Sequence, residues 1–106
     1  MTTVINMISS RGNKVLNQFI IKGYTIQMPD DTYQGDLFQS YKSNISFIAY
    51  ECGNTGAIRK VFLDENYWNY SNTTSRYRNQ FLNHTTKEIK DKIKSGEYIL
   101  TDLNGE

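Results

Sequence analysis

The apolar residues of this chain change their spacing once, near residue 70, and that change limits the possible folds more than any other feature. Residues 2–8 are rich in Val, Ile and Thr, side chains that fit a pleated, half-buried surface. Ser10-Arg11-Gly12-Asn13 reads as a turn, because Gly and Asn tolerate positive φ. Residues 15–28 form a long apolar run in which Gly23 marks a bulge or break, and Pro29-Asp30-Asp31 turns the chain after it. Residues 36–41 are a candidate short strand. Residues 44–51 alternate, with Ile45, Phe47 and Ala49 on one face and Ser46, Ile48 and Tyr50 on the other. Gly53-Asn54-Thr55-Gly56 links this run to residues 57–63, which predicts a β-hairpin.

From Ser71 the period is helical. Ser71 or Asn72 suits an N-cap for a helix to about Asn83, with Tyr77 and Phe81 four apart on one face. Thr85-Thr86-Lys87-Glu88 is a capping-box sequence, and Ile89 and Ile93 repeat the four-residue spacing behind it. Gly96, after Lys92 and Lys94, is a helix stop: cations favour that end of the dipole, and Gly takes the left-handed cap. Residues 97–100 return as a last short strand, and the tail Asn104-Gly105-Glu106 is expected to fray. The predicted class is α+β, an antiparallel sheet of about five strands followed by two short C-terminal helices packed on it. Residues 1–106 form a single domain.

Composition removes several functional classes. No run of 18 apolar residues is present, so no membrane span is expected, and residues 1–13 lack the pattern of a signal peptide. A single cysteine, Cys52, cannot make an internal disulfide; it reads as a small packed residue. The 8 Tyr, 5 Phe and 1 Trp supply material for one modest core. The net charge of +1 argues against a DNA mimic, which needs an acidic surface. It also argues against a protein held on DNA mainly through phosphates, which needs a basic one. The basic excess is local: residues 76–94 carry six bases against Glu88 and Asp91, while Glu97, Asp102 and Glu106 make the tail acidic.

Catalytic chemistry is sparse. The one histidine, His84, lies between the predicted helices with no nucleophile at a telling spacing, and reads as a polar linker residue. One His and one Cys do not make a zinc site. Residues 53–56 lack the Gly-Lys-Ser/Thr ending of a phosphate loop. Asp30-Asp31 and Asp64-Glu65 are acid pairs that sit where turns are expected and match no calcium loop. No catalytic residue, metal site or cofactor is predicted.

What remains is surface. Tyr67-Trp68-Asn69-Tyr70 places three aromatics before a basic helix, a combination found both in protein-binding hot spots and on single-stranded nucleic acid. The competing reading packs Trp68 and one Tyr against the sheet. Arg76 and Arg78 are the strongest candidates for contact with a carboxylate or phosphate. Lys87, Lys90 and Lys94 form one solvated stripe opposite Ile89 and Ile93. The hydroxyls of 71–75 cap the helix start, and any left exposed there would favour an anion.

Residues 38–48, Phe38-Gln39-Ser40-Tyr41-Lys42-Ser43-Asn44-Ile45-Ser46-Phe47-Ile48, resemble a family of short proteins of tailed phages and prophages of Gram-positive hosts. The resemblance resumes at Tyr67-Trp68-Asn69-Tyr70-Ser71-Asn72-Thr73-Thr74-Ser75-Arg76 and ends near Asn79-Gln80-Phe81-Leu82. Ser46 stands where the family pattern commonly has Ala, and the 54–58 turn looks like an insertion. The resemblance implies a phage setting and residence in the host cytoplasm, and it carries no activity. Together with the missing catalytic groups, it leads to the expectation of a non-enzymatic binding protein that occupies a host protein. The target would be a defence nuclease or its nucleoprotein complex, as for an anti-CRISPR inhibitor, or a replication factor. The alternative expectation is nucleic-acid binding through Tyr67, Trp68, Arg76 and Arg78.

Overall fold

The structure is a computed structural model that describes residues 2–53 and 55–105. Asn54 of the expected hairpin turn and Glu106 of the acidic tail lie outside the described residues. Five strands follow one another as a meander: β1 (Thr3–Ile8), β2 (Lys14–Gln27), β3 (Thr32–Ser40), β4 (Ser43–Tyr50) and β5 (Ile58–Asp64). Each runs antiparallel to its predecessor. Helices α1 (Asn72–Leu82) and α2 (Thr86–Lys94) come next, and β6 (Tyr98–Thr101) returns to lie parallel to β5. A parallel neighbour is out of reach of a tight hairpin, so the two helices serve as the crossover. The fold is therefore α+β as expected, with six strands in the sheet, the last one after the helices.

The helix boundaries follow from their caps. Ser71 accepts from the Thr74 amide, and Asn83 closes α1 in the left-handed region with φ 57. Thr85 and Glu88 form the reciprocal capping box, and Gly96, φ 85, follows α2. Both helices lie on one face of the sheet. Leu82 and Ile89 pack there on Ile48, Val61, Leu63 and Tyr98. Beside them Tyr77 packs with Met7, Phe38 and Ile45.

The other face is closed by the sheet itself. Tyr33, Leu37, Phe47, Ala49 and Phe62 are buried beneath Tyr24, Ile26, Met28 and Leu103. Two glycines allow the curl. Gly23, φ 72, sits in a bulge where the β2–β3 register shifts between Lys22 and Tyr24. Gly35 faces Ala49, and a Cβ there would stand 1.9 Å from the Ile48 carbonyl oxygen. The hairpin tip thereby reaches β5. Asp30 takes the Lys60 ammonium at 3.1 Å and the Tyr33 hydroxyl at 2.5 Å, while Asp31 pairs with Arg59, whose guanidinium lies 4.4 Å from the Tyr33 ring centroid. The Asp30-Asp31 pair thus forms the expected turn and also ties it to β5. The tail is held rather than frayed over its described part: Asn104 and Asn44 exchange side-chain-to-backbone hydrogen bonds at 2.7 and 2.9 Å.

Candidate functional site

Asp64 ends β5 fully buried, with no ion pair among the described residues. Its Oδ2 accepts from the amides of Asn66 and Tyr67 at 3.0 and 2.9 Å, and its Oδ1 from the amide of Leu103 at 2.8 Å. Three backbone amides thus converge on this one carboxylate. It therefore sets the course of the aromatic turn that follows. Tyr67 is half-buried beside the Met7–Phe38 cluster, and Trp68 is half-buried beside Ile48 and Val61. Tyr70 stays 47% exposed, edge-on to Tyr67 at 5.4 Å. Two of the three aromatics are thus packing residues, and one is surface.

The expectation that Arg78 meets a partner is corrected by its burial, which is complete. Its guanidinium donates to the Trp68 carbonyl at 2.6 Å and to the side-chain oxygens of Asn69, Asn79 and Thr86. It also lies 5.2 Å from the Trp68 ring centroid. Burial pulls its pKa down, and neutral acceptors rather than a carboxylate hold it. Helix geometry explains the outcome: position 78 shares the inward side with Phe81 and Leu82, three and four residues on. The helix-start hydroxyls of Ser71, Thr74 and Ser75 are likewise used internally. Thr74 bonds Ser40 at 2.9 Å, and Ser75 donates to Asn69.

Arg76, two residues earlier, faces out and has no ion pair or hydrogen bond among the described residues. It lines a cleft of about 490 Å³ with Ile8, Ser9, Ser10, Tyr77 and Gln80. The β1–β2 turn makes one wall, closed by the Ser9 amide on the Asn13 carbonyl at 2.8 Å, with Gly12 at φ 81. Gln80 ties the turn to α1 by donating to the Ile8 carbonyl at 3.0 Å. The walls offer a guanidinium and three hydroxyls and contain no carboxylate. Such a donor set suits a carboxylate or phosphoryl oxygen. Ser9, Ser10 and Gln80 were missing from the sequence-derived set. They meet Arg76 only through packing of distant segments, and no local pattern announces that.

Lys87, Lys90 and Lys94 of α2 point to solvent. Lys87 pairs with Asp91 at 3.2 Å, while Lys90 and Lys94 have no ion pair among the described residues. Of the expected surface, then, Tyr70, Arg76, Lys87, Lys90 and Lys94 are exposed, whereas Tyr67, Trp68 and Arg78 turn inward. His84 sits between the helices, 3.8 Å from Glu88, in a second cleft lined by both signs of charge. Cys52 is exposed in the β4–β5 turn, not packed as its position after an apolar strand suggested. Among the described residues, no group of three or more His, Cys, Asp or Glu stands close enough to hold a metal. No described helix is long and apolar enough to cross a membrane.

These features define a class: small α+β proteins in which a six-stranded sheet carries a two-helix crossover, here with a basic cleft at the outer hairpin. Residues 2–97 match the model of a family described as Family of unknown function (DUF8033), and the chain belongs to that family. No curated protein and no solved structure matches it.

Proposed function

We propose that the protein acts by binding and not by catalysis, occupying an acidic surface of a host protein through the Arg76 cleft. The observation that carries this reading is a guanidinium without a partner among the described residues, in a cleft that offers hydroxyls and no carboxylate. Lys90 and Lys94, exposed on the neighbouring helix, have no ion pair among the described residues and add positive charge. In this reading the protein is phage-encoded and works in the host cytoplasm, in the manner of an anti-CRISPR inhibitor of a defence nuclease. That setting is supported by the resemblance of residues 38–48 and 67–82 to phage proteins. The nucleic-acid alternative is weaker, because it needs Tyr67, Trp68, Arg76 and Arg78 on one open surface, and three of the four turn inward.

The test is affinity capture from host lysate with wild-type protein and with Arg76→Glu, each shown by circular dichroism to be folded. The expected result is a specific protein retained by the wild type and retained about tenfold less, or worse, by Arg76→Glu, as for a lost charged contact at an interface. Equal retention by both overturns the reading. Salt-dependent retardation of single-stranded DNA or RNA, with no protein partner, transfers it to the nucleic-acid alternative.

A further inference from the structure

We infer that β1 is the seam of a two-fold dimer in which the sheets of two copies join edge to edge. The sheet order leaves two strands at its edges, β1 and β6. Proteins protect such edges by keeping them short or charging them. β6 is protected in both ways, with four residues lying between Glu97 and Asp102. β1 is not. It has six residues, and the stretch 2–10 contains no charge, no Gly and no Pro.

The exposed apolar side chains gather at the same edge. Of the eight large ones among the described residues, Val4, Ile5, Ile8 and Leu16 lie in the β1–β2 hairpin, at 59%, 40%, 45% and 78% exposure. Val4 stands beside Ile21 on one sheet face, and Ile5 beside Ile20 on the other. An added strand therefore covers apolar surface on both faces while its backbone pairs with the open edge.

The occupant is a second copy because β1 suits itself. An uncharged strand meets its own copy without like charges opposed. A two-fold axis through the sheet at Val4 or Ile5 keeps each face with its own kind and closes the assembly at two. Joining β1 to β6 instead would bring it against the flanking acids and run on as a filament. The register shift between Asn6 and Ile8 ends the flat stretch, so the seam spans about residues 3–6 and the dimer is a modest one. The axis places the helices of both copies on the same side, so both Arg76 clefts open in one direction.

Sedimentation equilibrium on the full chain, up to about 1 mM, tests this at the concentrations where small interfaces form. The wild type is expected to approach twice the 12.3 kDa chain mass. Val4→Lys and Ile5→Lys, at exposed positions that leave the core untouched, are expected to hold the single-chain mass with an unchanged circular dichroism spectrum. A wild type that stays at the single-chain mass overturns the proposal, as does a lysine variant that dimerises like the wild type. Should a lysine variant lose its fold, concentration-dependent protection of the amides of residues 3–6 in the wild type replaces it, and the absence of such protection also overturns the proposal. Arg76→Glu is expected to dimerise normally, which separates this outcome from the binding reading.

Discussion

Arg78 spends all five of its N–H donors inside the protein, on the Trp68 carbonyl and on the side chains of Asn69, Asn79 and Thr86. Arg78→Met is expected to lose about 1–3 kcal/mol in urea unfolding, because the Trp68 carbonyl and the Asn79 side-chain oxygen lose their donors together. Arg78→Lys should recover little of that loss, since an ammonium has no planar fork. Arg76→Ala is expected to stay within about 0.5 kcal/mol of wild type, as surface changes do. The sequence treats the two arginines alike, although a separation of two places them about 200° apart on a helix. Which one faces inward was half legible: Arg78 has the buried spacing to Phe81 and Leu82, but a charge is ordinarily read as exposed. The acceptors that make its burial tolerable, Asn69 and Thr86, lie in other elements, where helical spacing says nothing.

Caps and turns were legible because they are written locally. Ser71, the Thr85–Glu88 box and Gly96 mark the helix ends where the structure has them. The box carries a pH dependence. The Thr85 amide, then the Thr85 hydroxyl and the nearby His84, hold the Glu88 carboxyl below its ordinary 4.5. A depressed value means that this contribution is complete above pH 4.5 and lost as pH falls through the lower folded value. The start of α2 is expected to fray in that acid range, followed by the amide signal of Thr85. Glu88→Gln, which still reaches back, should remove the dependence. The start of β3 was not legible. Residues 32–35 are mostly polar and are assigned to no element by their pattern, yet pairing with β2 and burial of Tyr33 extend the strand back to Thr32. Gly35 depends on that extension. Gly35→Ala forces a methyl group onto the Ile48 carbonyl and is expected to cost more than about 4 kcal/mol, or to yield insoluble protein on expression.

Across the whole molecule, the strands could be anticipated, but neither their order in the sheet nor the direction of the last one could. A run at 97–100 fits either orientation. The parallel one is set by the helical crossover and by Asp64, whose second oxygen takes the amide of Leu103, 39 residues on. Asp64→Asn puts an NH2 group against one of those amides. It is expected to lose about 2–3 kcal/mol, with hydrogen-exchange protection falling first in β6. The Arg76 cleft was half legible in the same way, its cation visible and its walls not. The shared anchor at Asp64 also has a consequence for the order of synthesis. On the ribosome β5 is made well before β6, so a nascent chain that stops short of residue 98 carries a buried-to-be carboxylate lacking one donor and a strand edge lacking its neighbour. Any pause in translation between the two leaves β5 as an open template until residues 98–103 emerge.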